Sequence, residues 1–212
     1  MTNSNWKIEK HPDWYIDVPK MKCLILGSFP PHESKWHYPF YYPNSTNRFW
    51  EILAKIAKKE LVYIKNLTNE KKLKAVEERH KIMCLLNAGV QNLGLKIKRK
   101  GNSARDTDIE IKEFQDILSI IEKHSELEKI LLPGYSAPNS TAKAFLKYLD
   151  YKGKGISYKV KDIKPGMEFF INAFNRKIKC IVLNSTSRAA VGINDDKLLK
   201  QFKKHLIPAV SR

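Results

Sequence analysis

Three short apolar runs constrain the fold of this chain most: Cys23-Leu24-Ile25-Leu26, Ile130-Leu131-Leu132 and Ile178-Lys179-Cys180-Ile181-Val182-Leu183. Each is closed by turn-forming residues, Gly27-Ser28, Pro133-Gly134 and Asn184-Ser185 in that order. Apolar runs this short, bounded by Gly, Pro, Asn and Ser, predict buried strands, because a helix needs a longer sustained pattern. Between and after them, apolar residues recur with the spacing of a helical stripe. Phe49, Ile52, Leu53 and Ile56 form one stripe, and Ala142, Phe145, Leu146 and Leu149 another. A third helix is expected to carry Ile111, Phe114, Leu118 and Ile121, and a last one Leu198, Leu199 and Phe202. A further strand is expected near Glu168-Phe169-Phe170-Ile171. Strands alternating with helices predict an α/β fold, a three-layer α/β/α sandwich around a central, mainly parallel four-stranded sheet. The charged stretch from Tyr63 to Lys81 reads as a solvated helix outside the core.

A length of 212 residues with 42% hydrophobic content supports one sizeable core, so residues 1–212 read as a single domain. No apolar run approaches the roughly 18 residues needed to span a bilayer, and no membrane partner is expected. Cys23, Cys84 and Cys180 are odd in number and far apart, which shows neither a disulfide framework nor a metal-ligand pair. Reduced thiols, no metal, no cofactor and a monomer are the expectation. The first residues lack the apolar core of a signal peptide, which points to a cytoplasmic or nucleoid location. Asn-Ser-Thr recurs at Asn44, Asn139 and Asn184 without a period, as turn and cap residues do.

Charge narrows the partner. The chain carries 39 Lys and Arg against 22 Asp and Glu, a formal net charge of +17. A surface this positive is drawn to phosphate backbones and gains affinity by releasing their counterions, so nucleic acid is the first candidate. The basic residues are spread along the chain, which a Lys-rich composition alone also produces. An anionic membrane surface is a weaker candidate for want of a strongly basic amphipathic helix.

In an open parallel sheet, ligands bind beyond the carboxyl ends of the strands. Function is therefore sought after residues 26, 132 and 183. The first segment runs from Gly27-Ser28-Phe29-Pro30-Pro31-His32-Glu33 to Tyr42-Pro43-Asn44-Ser45-Thr46-Asn47-Arg48-Phe49-Trp50. Its prolines stiffen it, and the aromatics from Trp36 to Tyr42 offer flat faces on which a base could stack. Asn47 stands just before a helical stripe and has two readings: a helix cap, or an amide that reaches a ligand at a helix N-terminus. His32 and His37 read as ordinary loop histidines. The late segment Asn184-Ser185-Thr186-Ser187-Arg188 places three hydroxyls and a cation at the end of a core strand, a set able to bind phosphate. No Gly-x-Ser-x-Gly elbow, Walker loop or Gly-x-Gly-x-x-Gly is present.

Leu24-Ile25-Leu26-Gly27-Ser28-Phe29-Pro30, Tyr41-Tyr42-Pro43, Asn47-Arg48-Phe49-Trp50 and Ser185-Thr186-Ser187 together resemble the uracil-DNA glycosylase superfamily. The hypoxanthine-DNA glycosylase branch looks most similar. Its first motif reads Gly-[Ser/Thr]-x-Pro-Gly, a Tyr-Tyr pair and Asn-x-Phe-Trp, and its second Pro-Ser-Thr-Ser-Pro. Leu86-Asn87-Ala88-Gly89-Val90 and Arg99-Lys100-Gly101-Asn102-Ser103-Ala104-Arg105-Asp106 look like the middle block of that branch, a Gly-Val turn before a basic loop. Three positions depart: Pro31 stands where the family has Gly, and Asn184 and Arg188 replace the prolines flanking the second motif. Gln91-Asn92 stands where related proteins often carry an acid.

The resemblance implies a monofunctional glycosylase that flips a deaminated base, hypoxanthine or uracil, out of double-stranded DNA and hydrolyses its N-glycosidic bond. It implies Asn47 as the catalytic residue, orienting water or polarising the substrate. Gly27, Ser28, Phe29, Pro30 and Tyr42 would bind the base. Ser185, Thr186, Ser187, Arg188, Lys98, Arg99 and Lys100 would hold the DNA, with Arg188 or Val191 filling the vacated space. The alternative is a nucleic-acid-binding protein of the same fold without catalysis.

Overall fold

The computed structural model describes residues 6–154, 162–190 and 192–206. Its centre is a five-stranded sheet built from β2 (Cys23–Gly27), β3 (Ala88–Asn92), β6 (Lys129–Pro133), β7 (Glu168–Ala173) and β8 (Arg176–Leu183), in the order β3-β2-β6-β8-β7. The first four of these strands run parallel, and β7 pairs antiparallel with β8 at the edge. All three apolar runs are central strands covered on both faces, which is why they read as continuous hydrophobic stretches without alternation. At the edge, β7 alternates instead, with Phe169, Ile171 and Ala173 inward. The Phe174-Asn175 turn that joins it to β8 has φ of 51° and 58°, the two left-handed residues a tight hairpin requires.

The sheet has five strands where the sequence predicts four. The added one, β3, has the sequence AGVQN, and its one glycine and two amide residues hide it from an apolar-run criterion. What positions it is pairing with β2, from Cys23 opposite Ala88 to Gly27 opposite Asn92.

Helix α1 (Phe49–Ile56) lies with α2 (Asn69–Leu85) and α5 (Asp195–Lys203), while α3 (Ile117–Lys123) and α4 (Thr141–Tyr151) form a second group. The connection from β2 to β3 runs opposite to those from β3 to β6 and from β6 to β8, so right-handed crossovers put the two groups on opposite faces. Phe49 meets Phe202 edge-on across the first group. The Tyr148 hydroxyl accepts the Leu118 N–H at 2.9 Å across the second.

Two expectations are corrected here. Residues 109–114 form a strand, β5 (Ile109–Phe114), and α3 begins only after Asp116. Ile109 and Ile111 alternate with Glu110 and Lys112, and this period of two prevails over the weaker helical match. The helix in the 63–81 stretch is not wholly solvated, since α2 buries Ala75, Arg79, Ile82 and Met83. The Arg79 guanidinium sits 3.9 Å from the centre of the Tyr38 ring and donates to the carbonyls of Ala75 and Tyr63, so its charge is buried against a π face and oxygens.

A second sheet, absent from the sequence reading, is antiparallel: β1 (Trp6–Lys10), β4 (Gly94–Lys100) and β5, in the order β1-β4-β5. It continues from the carboxyl end of β3 through Leu93, and the β4–β5 connection swings back over the end of the central sheet.

Candidate active site

The order of connections across the central sheet reverses at β2, with the chain passing from β2 to β3 on one side and then back across to β6 on the other. Such a switch point leaves a crevice beyond the carboxyl ends of the strands. A cleft of about 170 Å³ occupies it. It is lined by Gly27, Ser28, Phe29 and Pro30 after β2, by Tyr42 and Asn47 before α1, and by Ser185, Thr186 and Ser187 after β8. Pro31, Asn92, Asp106, Pro133 and Thr141 complete much of its wall. Three sequence segments far apart along the chain thus meet in one place.

Arg48 occupies the N-cap position of α1, and Asn47 supports the helix start from one residue before it. Its Oδ1 accepts the Phe49 N–H at 2.9 Å. Asn47 also lines the cleft, and with Oδ1 engaged its amide nitrogen Nδ2 is the group left to donate, with no acceptor among the described residues. Tyr42 stacks on Phe49 at 3.8 Å between ring centres, so one of its faces is covered. It is held at a φ of 48° by Tyr38, whose hydroxyl donates to the Tyr42 carbonyl at 2.8 Å. Of the other aromatics of that loop, Tyr38, Phe40 and Tyr41 are buried and Trp36 is half-buried away from the cleft, so the stacking surface expected from them reduces to Tyr42.

Arg48 fastens the two ends of the site together. It donates to the Thr186 carbonyl through Nε, to the Ser187 carbonyl through Nη2 and to Asp195 through Nη1 at 3.1 Å. The hydroxyl loop after β8 is thereby tied to the start of α1. Its own backbone bonds are short-range: Ser185 Oγ accepts the Ser187 N–H at 3.2 Å, and Ser187 Oγ accepts the Ala189 N–H at 3.2 Å.

The floor is set by Asn92. His11 donates from Nδ1 to the Pro12 carbonyl, which leaves Nε2 as the acceptor for Asn92 Nδ2 at 3.0 Å. Burial holds the His11 imidazole neutral, with its pKa lowered to about 4. Asn92 Oδ1 then faces Gly27 so closely that a Cβ on Gly27 would lie 2.2 Å from it. Glycine is required there by lack of space.

Asp106 enters from the β4–β5 connection. Ser28 Oγ donates to its Oδ1 at 2.6 Å. Burial pushes the carboxyl up to about 6, against the opposing pull of the Ser28 hydrogen bond and the Arg99 guanidinium. Among the described residues, its Oδ2 accepts no hydrogen bond. Asp106, Asn92 and Arg48 were assigned no role from sequence. The one available signal was that Asp106 is the first carboxylate after Glu78, at the end of a basic run.

Four expected DNA contacts lie outside the cleft. Arg188 is exposed and pairs with Glu51 at 3.4 Å and Asp195 at 3.6 Å. Lys98 and Lys100 share the face of the small sheet that also carries Trp6 and Ile8. Arg99 points the opposite way and is 1% exposed. It donates to both Glu9 oxygens at 2.9 and 3.0 Å and to the carbonyls of Ser103 and Pro30. A phosphate contact by Arg99 is excluded by that burial; its work is to hold the Pro30 loop and the β4–β5 connection. Val191 lies outside the described residues. His32 caps a short turn, and His37 shares a hydrogen bond with Ser45 at 3.1 Å.

Among the described residues, no group of three His, Cys, Asp or Glu is placed to hold a metal ion, and no helix is long and apolar enough to cross a membrane. No family model and no curated protein matches the chain. A solved structure does: the solution structure of a protein from Methanosarcina acetivorans, described as "a putative Uracil DNA glycosylase", superposes with a TM-score of 0.55. The match covers 94% of this chain and 96% of that one, at 20% sequence identity. The two chains share one fold. At that identity the likeness reaches the architecture alone.

Proposed function

We infer that this protein is a monofunctional DNA glycosylase acting on a deaminated base, uracil or hypoxanthine, in double-stranded DNA. The observation that carries the reading is the convergence of the Asn47 amide and the 185–187 hydroxyls in one cleft at the switch point of the sheet. The fold shared with the Methanosarcina acetivorans protein supports it. So does the net charge of +17, which favours a polyanion.

Breaking the bond between C1′ and a base nitrogen develops positive charge on the sugar and negative charge on the departing base. A cleft of about 170 Å³ suits a single heterocycle and is below the range typical of larger ligands. Asn47 Nδ2 donates to a carbonyl of the flipped base and strengthens that bond as charge builds on the oxygen. Tyr42, backed by Phe49, offers its ring for stacking. The hydroxyls of Ser185 and Ser187, with the backbone around Thr186, grip the phosphates beside the flipped nucleotide, and Lys98 and Lys100 add contacts independent of sequence.

The test is single-turnover base release from duplexes carrying uracil, hypoxanthine or xanthine, read by alkaline cleavage at abasic sites. Asn47→Ala is expected to lower release at least about 100-fold with duplex affinity nearly unchanged. Salt-sensitive duplex binding without release from any lesion would favour the non-catalytic DNA-binding protein.

A further inference from the structure

Resting on the glycosylase reading, the geometry points to Asp106 as the residue that activates the hydrolytic water. Asn47 is poorly suited to that task, because its amide is neutral and its Oδ1 is committed to the Phe49 N–H. Asp106 differs in each respect. It lines the same cleft, one carboxylate oxygen is fixed by Ser28 at 2.6 Å, and the other accepts nothing among the described residues. A carboxylate held by one oxygen and open at the other is oriented toward a water without being occupied by the protein.

The groups that face it agree with a proton-accepting role. From β4 comes the Arg99 guanidinium, which favours the ionised form; from the β2 side come the Ser28 hydroxyl and the Tyr42 phenol. On its own turn, Arg105 and Asp108 pair with each other at 2.8 Å and largely cancel. Burial outweighs the favourable contacts and leaves a carboxyl that titrates near 6, strong enough as a base and still ionised at neutral pH.

In the step itself, the water oxygen forms the new bond to C1′ and its proton passes to Asp106 Oδ2. The bond from C1′ to the base nitrogen breaks, and its electron pair leaves with the base, whose carbonyl is steadied by Asn47 Nδ2. The departing anion takes a proton from solvent, and Asp106 returns its proton to solvent.

The test combines a pH profile with Asp106→Asn. Single-turnover release by the native protein is expected to be flat above pH 7 and to fall about tenfold per pH unit well below pH 6, the limb of one carboxyl that must be ionised. Asp106→Asn is expected to lower the plateau about 10²- to 10⁴-fold, to abolish the limb and to keep duplex affinity. Because it removes a buried ionised group, it is also expected to unfold at a temperature no lower than the native protein at pH 8, which separates lost chemistry from lost folding. Release by Asp106→Asn at the native rate, or a native profile without the acid limb, overturns the role of Asp106 and leaves the glycosylase reading standing. Absence of release by the native protein from every lesion overturns both.

Discussion

At the residue scale, Asn47 unites two functions that sequence spacing had left as rivals. Its oxygen holds the first N–H of α1, and its nitrogen is left to donate from a residue that lines the cleft. Asn47→Ala removes both, and the lost cap costs about 1 kcal/mol of stability. Asn47→Asp separates them, since a carboxylate caps as well as an amide but cannot donate near neutral pH. The expected outcome is a thermal midpoint close to native together with base release lowered as far as in Asn47→Ala, measured by calorimetry and single-turnover kinetics. His11 is held neutral by burial, its folded pKa of about 4 lying below the ordinary value of 6.5. The sign follows from linkage: its stabilising contribution is complete above pH 6.5 and is lost as pH falls toward 4, where the unfolded chain binds the proton first. The loss is on the order of 2 to 3 kcal/mol over that window. Denaturant titrations from pH 7.5 to 4.5 should show it in the native protein and not in His11→Asn, with the contribution of Asp106, which has the opposite sign, common to both.

At the element scale, the antiparallel sheet β1-β4-β5 is what carries Asp106 to the cleft. Its inner face buries Ile97, Ile109 and Arg99, and its outer face bears Lys98 and Lys100. Arg99 joins β4 to β1 through Glu9 and to the cleft wall through the Pro30 carbonyl. Removing one partner of a buried charged network is costly, so Arg99→Ala is expected to destabilise the protein by about 3 to 5 kcal/mol in equilibrium unfolding. None of this sheet was legible in the sequence. Its strands mix Lys, Glu and Ile because one face meets water, and a period of two over five or six residues is too short to outweigh the helical match that Ile111, Phe114, Leu118 and Ile121 also make.

At the scale of the whole molecule, the excess of positive charge acts through the positions where it is exposed. Lys98→Ala and Lys100→Ala are each expected to lower the slope of log affinity against log salt by about 0.9 if each neutralises one phosphate, as measured by duplex titration between 50 and about 200 mM salt. A partially destabilised but folded Arg99→Lys should leave that slope unchanged, because the residue at 99 faces inward. The three lysine- and arginine-containing positions in a row, alike in sequence, thus divide into two surface charges and one internal brace.

By itself the sequence determined the layered α/β architecture, the strands β2, β6 and β8, and the residues at their carboxyl ends where Gly27 to Pro30 and Ser185 to Ser187 now meet. Those features rest on continuous apolar runs and turn chemistry, which are local properties that a buried parallel sheet demands of the chain. Tertiary structure alone decided that β3 joins the sheet despite its polar end, that Arg99 turns inward, and that Asp106 and Asn92 reach the cleft. Each of these depends on pairing between segments distant in sequence, and the burial, hydrogen bonding and shifted titration that give them their roles exist only once those segments are brought together.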